Sequence, residues 1–416
     1  MLDLSAINFK DIYCTDDSAD YQEGRYRDAV EAFAETFRGV KPKAVFSAPG
    51  RTEVGGNHTD HQRGEVLAAS INKDAIAVTA QADGKTVRVL ADGFGMTEID
   101  LDDLTLREEE KGSTAALIRG VLAGLKDSGF VLGGFDAYIT SDVLIGAGLS
   151  SSAAFETLIG TIVSGLYNDM KIDPVTIAKT GQYAENVYFG KPCGLMDQMA
   201  CSVGNLVHID FEDPENPVVD KVDFDFSQTD YVLCITDTKG SHADLTDEYA
   251  AVPGEMKKIA SLLGCDTLRS VTFEDIMDNI EMLRGNAGDR SVLRAIHFVN
   301  ETRRAADEAD ALRHNDTDSF IRLVKASGDS SFKYLQNVYT NKNVTVQNMS
   351  LALAVSDTIL SSDEASRVHG GGFAGTIQAF VKKENAAMYQ EHMDKVFGHG
   401  SCEILSIRKY GGIRVV

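Results

Sequence analysis

The 416-residue chain lacks any long apolar run and any N-terminal targeting pattern. No stretch approaches the ~20 apolar residues that a membrane-spanning helix needs, so we expect no membrane span. The opening "MLDLSAINFKDIYCTDDSADYQEG" has neither the basic start nor the apolar stretch of a signal peptide. We therefore expect a cytoplasmic protein.

Paired cysteines and a surplus of basic residues are also missing. The six cysteines are scattered without a C-x-x-C pair, so neither a disulfide framework nor a zinc site is expected. Against 63 acidic residues stand 40 basic ones, and the net charge of −23 opposes non-specific attraction to nucleic acid or to an anionic membrane. We expect small-molecule partners, no nucleic acid, no membrane, and a monomer or weak oligomer.

The residues that are present predict a mixed fold. A hydrophobic fraction of 43% in 416 residues suffices for two domains, at about 100–200 residues each. "AVFSA" reads as a strand broken by Pro49-Gly50, and Asp83-Gly84 between two extended runs predicts a hairpin. The later half is richer in helical patterns. This order predicts an α+β fold of two lobes, which we place at residues 1–220 and 221–416.

The stretch "GAGLSSSA" at residues 146–153 lies between a strand pattern and a helical pattern. Glycine lets a backbone approach a ligand closely, and serines at a helix start cap N–H groups that favour an anion. The order therefore suggests a phosphate cradle, although close helix packing with an ordinary serine cap would explain the same residues. The pattern is neither G-x-x-x-x-G-K-[ST] nor G-x-G-x-x-G, so ordinary P-loop and dinucleotide sites lose support.

The segment "APGRTEVGGNHTDHQRG" at residues 48–64 is unusually dense in polar side chains. A solvated loop would account for any one of them. Imidazole and carboxylate groups also suit divalent ions, so His58, Asp60 and His61 are candidate metal ligands that would need a fourth partner from elsewhere.

Two further segments carry candidate chemistry. In "AENVYFGKPCGLMDQMAC" at 184–201, Glu185 lies on a predicted helix and Asp197 follows a glycine-containing turn. Such a carboxylate can be a general base or a simple helix cap. In "RVHGGGFAGTIQAF" at 367–380, three consecutive glycines precede a strand, which indicates either a tight connection or close approach to a ligand or another loop.

Taken in order, "APGRTEVGGNHTDH", "GAGLSSSAA", "CGLMDQ" and "HGGGFAGT" resemble the signatures of the GHMP small-molecule kinases, and the first and third resemble galactokinases among them. The resemblance covers roughly residues 44–416. It implies a ribosomal-protein-S5-like N-terminal lobe, a ferredoxin-like C-terminal lobe and a site in the cleft between them. It also implies ATP-dependent phosphorylation of the anomeric (C1) hydroxyl of a galactose-type sugar, with Mg²⁺.

The resemblance implies a role for each matching residue. Asp197 would take the proton from the anomeric hydroxyl, and Arg51 would stabilise both Asp197 and the transferring phosphoryl group. The sugar pocket would be lined by Asn57, His58, Asp60, Gly194 and Tyr249. The ATP phosphates would lie on Gly146, Gly148, Leu149, Ser150, Ser151 and Ser152, and Mg²⁺ would be held by Ser151 or Ser152 together with Glu185.

The chain departs from the galactokinase pattern at Asn57, where galactokinases usually carry glutamate. Because an amide can donate as well as accept, we expect Asn57 to relax selectivity at the C6 end of the sugar. The alternatives are a kinase for galacturonate, arabinose or an N-acetylated amino sugar, and a non-catalytic sugar sensor on the same fold. The first forty residues have no expected role.

Overall fold

The computed structural model describes residues 2–14, 19–143, 148–240 and 245–416. The strands are β1 (Ala44–Gly55), β2 (Glu65–Gln81), β3 (Thr86–Ala91), β4 (Met96–Asp100), β5 (Phe135–Ser141), β6 (Leu206–Asp210), β7 (Val218–Val222), β8 (Tyr231–Asp237), β9 (Ala365–Val368), β10 (Thr376–Lys382), β11 (Cys402–Leu405) and β12 (Ile413–Arg414). The helices are α1 (Phe9–Tyr13), α2 (Ala19–Thr36), α3 (Thr114–Asp127), α4 (Ser151–Tyr167), α5 (Pro174–Tyr183), α6 (Met196–Val203), α7 (Thr246–Leu262), α8 (Phe273–Asp278), α9 (Ile280–Ala287), α10 (Asp289–Arg313), α11 (Thr317–Ser330), α12 (Asn348–Ile359) and α13 (Ala386–Phe397). Within these ranges, none of the helices combines the length and the apolar character needed to cross a membrane.

Two sheets organise the chain, and the predicted α+β fold is confirmed. The first has eight strands, six of them in the order β12-β1-β2-β5-β3-β4. The long strand β2 pairs with β5 through residues 75–81 and with β6 through residues 65–69, and β7 continues from β6. The second sheet is antiparallel in the order β11-β8-β10-β9. Since β12 returns to β1, a cut at residue 220 would not fully separate the two sheets.

The predicted break at Pro49-Gly50 is wrong. Strand β1 continues through both residues, and its register with β2 shifts between Pro49 and Arg51. A bulge of this kind accommodates a proline, which has no N–H to give to the ladder, and re-aims the side chains beyond it. Arg51 is therefore carried by a buried strand and not by a loop.

The predicted hairpin at Asp83-Gly84 is also wrong, because β5 lies between β2 and β3. Strand β3 pairs with β5 in parallel. The entry to β5 passes close to the turn itself: Ala82 N donates to Gly134 O at 2.8 Å and Gly134 N donates to Gly84 O at 3.2 Å. The turn residues are those of a hairpin, but the apolar strand β5 takes the place beside β2.

The helix predicted directly after the glycine-rich loop is confirmed as α4. The helix predicted to carry Glu185 is also present: α5 ends at Tyr183, and its continuation, Ala184–Phe189, is a π-helix. Such wider turns recur at functional sites. Here the π-helix carries Glu185 into the protein interior, where the side chain is buried.

Candidate active site

The serine-rich turn at the start of α4 packs directly on β1. The backbone nitrogen of Arg51 donates to Leu149 O at 3.1 Å. A Cβ built on Gly50 would lie 2.7 Å from the same oxygen, so the approach requires glycine there. Gly148 and Ser150 both have positive φ, at 71° and 60°, which turns the chain sharply into α4. Gly146, also predicted to bind ATP, lies outside the described residues.

Arg51 and Asp197 form a two-point ion pair next to this turn. Arg51 Nε donates to Asp197 Oδ1 at 2.7 Å, and Nη2 donates to Oδ2 at 2.8 Å. The remaining nitrogen, Nη1, donates to Gly148 O at 2.6 Å. Ser150 Oγ also donates to Asp197 Oδ2. The predicted base, the predicted charge stabiliser and the turn therefore form one bonded unit.

The pair is accessible from one side. The Arg51 side chain is 9% exposed, whereas that of Asp197 is 33% exposed. Burial by itself would raise the pKa of Asp197, but the Arg51 guanidinium and the Ser150 hydroxyl outweigh it and hold that pKa below its usual range. Asp197 is therefore ionised at neutral pH, with a face that a ligand hydroxyl can reach.

A second polar cluster surrounds Glu185. Ser152 Oγ donates to Glu185 Oε1 at 3.1 Å, and Lys191 Nζ lies 2.8 Å from the same oxygen. Gln198 Nε2 donates to Oε2 at 2.9 Å. The Glu185 carboxylate and the Ser152 hydroxyl are oxygen ligands of the kind that Mg²⁺ prefers, and the ammonium of Lys191 shows that this position favours positive charge.

A cavity of about 470 Å³ opens beside these groups. Its polar lining residues include Ser151, Ser152, Glu185 and Lys191. Aromatic and aliphatic side chains form most of the rest, including Phe94, Leu117, Ile139, Phe155 and Phe189, and Asp92, Thr114 and Ser141 add further polar groups. Such a lining suits a flat apolar ring that carries an anionic tail.

Three of the predicted sugar-site residues donate hydrogen bonds to the backbone carbonyls of the glycine run at residues 370–372. Asn57 Nδ2 donates to Gly370 O at 2.8 Å, His58 Nε2 donates to Gly371 O at 2.9 Å, and Tyr249 Oη donates to Gly372 O at 2.8 Å. Three consecutive glycine carbonyls thus each accept one bond from this group. The close approach that three glycines suggested is therefore an approach to another part of the chain.

The carboxylate of Asp60 lies against the backbone of Gly194. A Cβ built on Gly194 would lie 2.3 Å from Asp60 Oδ2, so any larger residue would displace this carboxylate. Asp60 is half-buried and begins a short 3-10 helix over Asp60–Gln62. In the part of the chain that the structure describes, no three His, Cys, Asp or Glu side chains are grouped to hold a metal, so the alternative metal site at His58, Asp60 and His61 has no support.

Asn57 is placed differently from the expectation that it contacts the C6 end of a sugar. It is only 1% exposed. Besides Gly370, its Nδ2 donates to Glu53 Oε1 at 2.8 Å, and its Oδ1 accepts a bond of 2.8 Å from Asn337 Nδ2. Both amide hydrogens of Asn57 are therefore bonded to protein groups, and one of these bonds holds the carbonyl of Gly370.

Sequence reasoning missed three polar residues of this site: Lys191, Gln198 and Asn337. Lys191 and Gln198 lie within the segment at 184–201, and the single cation six residues after Glu185 was a usable signal. Asn337 is 280 residues from Asn57 in the chain, and nothing in its local sequence indicates the contact.

Comparisons with known proteins agree with this fold. Residues 116–205 match the family model "GHMP kinases N terminal domain", and residues 31–81 match "Galactokinase galactose-binding signature". The solved galactokinase of Lactococcus lactis, complexed with galactose, superposes with a TM-score of 0.79 at 23% identity over 93% of this chain and 99% of that one. The mevalonate kinase of Methanococcus jannaschii superposes with a TM-score of 0.62 at 15% identity, over 89% of this chain and 99% of its own.

These matches and the serine turn define a GHMP kinase fold. A curated galactokinase from Streptomyces coelicolor is 30% identical over 355 residues, which span 85% of this chain and 88% of that protein. The chain belongs to the galactokinase family.

Proposed function

We propose that the protein transfers the γ-phosphoryl group of ATP to the anomeric hydroxyl of galactose, giving galactose 1-phosphate and ADP. The observation that carries the proposal is the two-point pair of Arg51 and Asp197, one-third open on the aspartate side and bonded to the turn that begins α4. Family membership and the names of the relatives support the same reaction.

Asp197 is the proton acceptor in this proposal. Its pKa lies below the usual range, so it is ionised and ready to accept a hydrogen bond from the anomeric hydroxyl. A carboxylate held in this way is a weak base towards a free alcohol, and the proton therefore moves as the new O–P bond forms. Arg51 keeps Asp197 ionised and places positive charge where the transferring group becomes more negative.

The nucleotide occupies the cavity beside α4 in this proposal. The adenine ring would lie among the apolar side chains, and the phosphates would lie towards Ser151, Ser152 and the N–H groups of the first turn. Glu185 and Ser152 are the residues that fit Mg²⁺, which would neutralise charge on the phosphates when it is bound. Lys191 would then face the phosphates as a second cation.

In this proposal the sugar side is formed by Asp60, which lies against Gly194, and by His58 and Tyr249, which bond to the glycine run. Asp60 accepts hydrogen bonds from ring hydroxyls in this proposal, and Gly194 leaves room for its carboxylate. Asn57 acts indirectly by holding Gly370. The cytoplasmic location and the monomeric or weakly associated state stay predictions from the sequence.

A coupled ADP-release assay with galactose, galacturonate, L-arabinose and N-acetylgalactosamine tests the proposal. We expect sugar-dependent ADP release that is fastest with galactose, and a phosphate on C1 by ³¹P NMR. Galactose binding without ADP release would indicate a sensor. Faster release with another sugar would replace the substrate and leave the reaction class intact.

A further inference from the structure

His369 is a buried histidine that bonds to both sheets. It directly follows β9, precedes the glycine run at 370–372, and is 2% exposed. Its Nε2 lies 3.1 Å from Thr52 Oγ1 and 3.4 Å from the backbone nitrogen of Glu53, both on β1 in the first sheet. Its Nδ1 lies 2.9 Å from Thr376 Oγ1 on β10 in the second sheet.

The partners determine which ring nitrogen carries the proton. The backbone N–H of Glu53 can only donate, so Nε2 of His369 accepts and is unprotonated. Thr52 Oγ1 already accepts a bond of 2.6 Å from Gln378 Nε2, which leaves its own hydrogen for His369. The proton is therefore on Nδ1, which donates to Thr376.

The surroundings keep the ring neutral. Burial, reinforced by the nearby guanidiniums of Arg51 and Arg367, holds the pKa of His369 well below its usual range, and Asp197 acts in the opposite direction. A cationic ring would also set an N–H against the backbone N–H of Glu53. The neutral ring has a matched partner at each nitrogen.

The ring also touches the turn beside the candidate base. A Cβ built on Gly148 would lie 2.9 Å from Thr376 Oγ1 and 3.4 Å from His369 Nδ1, so a larger residue would not fit there without displacement. The carbonyl of Gly148 accepts the 2.6 Å bond from Arg51 Nη1. His369 thus lies against the strand that carries Arg51 and against the turn that Arg51 holds.

We propose that His369 is a positioning residue that holds β1 and the serine turn against the second sheet, so that Arg51 and Asp197 are aligned with the substrates. The role rests on the proposed function. His369 itself reaches no substrate, because both of its nitrogens are bonded to protein groups. Misplacement by 1 Å can cost about 10²-fold in rate, so a small shift of β1 would be visible in turnover.

Two substitutions separate the two bonds. His369→Gln keeps an amide oxygen close to the place of Nε2, which can accept from Glu53 N–H. His369→Asn reaches only to the place of Nδ1, so it keeps a donor for Thr376 and loses the link to β1. We expect kcat to fall about 10²-fold in His369→Asn and less than about 10-fold in His369→Gln, with the KM values for ATP and galactose within about 3-fold of wild type.

His208→Gln is the matched control. His208 lies on β6, and its Nε2 is 2.9 Å from Glu65 Oε2, outside the candidate site. Its kcat should equal that of wild type. Thermal unfolding of all three variants gives the fraction of folded protein at the assay temperature, and each kcat is divided by that fraction.

Nitrogen NMR on ¹⁵N-histidine-labelled protein tests the bond pattern without turnover. The His369 resonances are those that His369→Gln removes, and we expect a neutral ring with its proton on Nδ1 throughout about pH 6–8. A ring protonated on Nε2, or one that titrates in this interval, would overturn the inference even if the variants fold poorly.

The kinetic outcomes distinguish this inference from the proposed function. Wild-type kcat in folded His369→Asn would overturn the positioning role alone. The role would also be overturned if kcat fell equally in both variants and returned to the wild-type value once corrected for the folded fraction, since that result marks a purely structural residue. Absence of any galactose-dependent ADP release from the wild type would overturn the proposed function, and the positioning role with it.

Discussion

Asp197 and Asp74 have similar partners in two different regions. Asp197, in the candidate active site, which is called the cleft below, is paired with Arg51, while Asp74, on β2, bonds to Arg25 at 2.6 Å and Arg408 at 2.9 Å. Each also accepts a bond from a serine hydroxyl. Burial would raise the pKa of both carboxyls, and arginine lowers it below the usual range in both cases.

The two sites differ in access. The Asp74 side chain has no exposed surface, against 33% for Asp197. Tyr13 from the N-terminal segment donates to Asp74 at 2.7 Å, and Tyr26 on α2 bonds to Tyr13 at 2.9 Å. Arginine and serine partners therefore do not by themselves make an aspartate catalytic, because the side chain must also be accessible to a ligand. Helices α1 and α2, within the first forty residues, therefore have a structural role, since their buried side chains pack on β1 and β2.

The largest expected effect is on Asp197→Asn. We expect ATP and galactose to bind nearly as in wild type, because the volume changes little, while kcat falls on the order of 10²–10⁴-fold through loss of the proton acceptor. Steady-state kinetics and calorimetric titration measure the two effects. Near-normal turnover would remove Asp197 from the catalytic role, and it would leave the cleft aspartate no different in function from the buried one.

Asp74→Asn should show the opposite pattern. Removal of this charge takes the carboxylate away from the buried guanidinium of Arg408, while Arg25 keeps Asp142 at 3.3 Å. Breaking a buried pair of this kind costs about 3–5 kcal/mol. That is a large part of the about 5–15 kcal/mol by which a domain is stable. We expect a much lower urea midpoint, with kcat of the folded fraction close to wild type. A catalytic loss without a stability loss would contradict the division between the two regions.

Ser152→Ala tests the metal side of the cleft. Loss of the hydroxyl that bonds to Glu185 should raise the Mg²⁺ concentration for half-maximal activity and weaken MgATP binding by about 10-fold, while galactose binding is unchanged. Ser164→Ala on the same helix is the matched control, because Ser164 is buried and its Oγ accepts from Ile172 N at 3.2 Å. Equal metal dependence in the two variants would remove Ser152 from the metal site.

Glu308 is a further buried carboxyl, and it differs from Asp74 and Asp197 in its hydrogen bonding. Both of its oxygens lack a hydrogen bond in the described part of the chain, and burial raises its pKa well above the usual range. Folding therefore favours the neutral form of Glu308. The free energy of unfolding is unaffected by this group below its unfolded pKa of about 4.3, and it falls as pH rises from there towards the raised pKa of the folded state. Glu308→Gln should remove this slope and stabilise the protein by on the order of 1 kcal/mol at neutral pH.

The control for this small effect lies on the same helix. Glu301 is also fully buried, but it is bonded to Arg304 and Ser327, and its pKa is lowered. Glu301→Gln should therefore destabilise the protein at neutral pH, with the opposite pH slope. The free energy of unfolding from urea titrations at several pH values checks both signs. A shared sign would show that the charge partners do not control these two carboxyls.

Much of the site could be predicted because its parts are local. The turn before α4, the helix that it begins and the glycine run each depend on residues within one short segment. The pairing of Asp197 with Arg51 was expected only through the family resemblance, since 146 residues separate them. The burial of Asn57 could not be expected, because it depends on Asn337 and on the glycine run far along the chain.

The sequence by itself determined several of the helices and strands and the chemical groups available for a phosphoryl transfer, because periodicity, capping and turn chemistry act over a few residues. Tertiary structure decided which strand lies beside β2, which of two arginine-paired aspartates faces the cleft, and what His369 bonds to. Strand partners and solvent access depend on how distant apolar surfaces bury one another. Residues such as Asp74 and Asp197 therefore look alike in the sequence until the chain has folded around them.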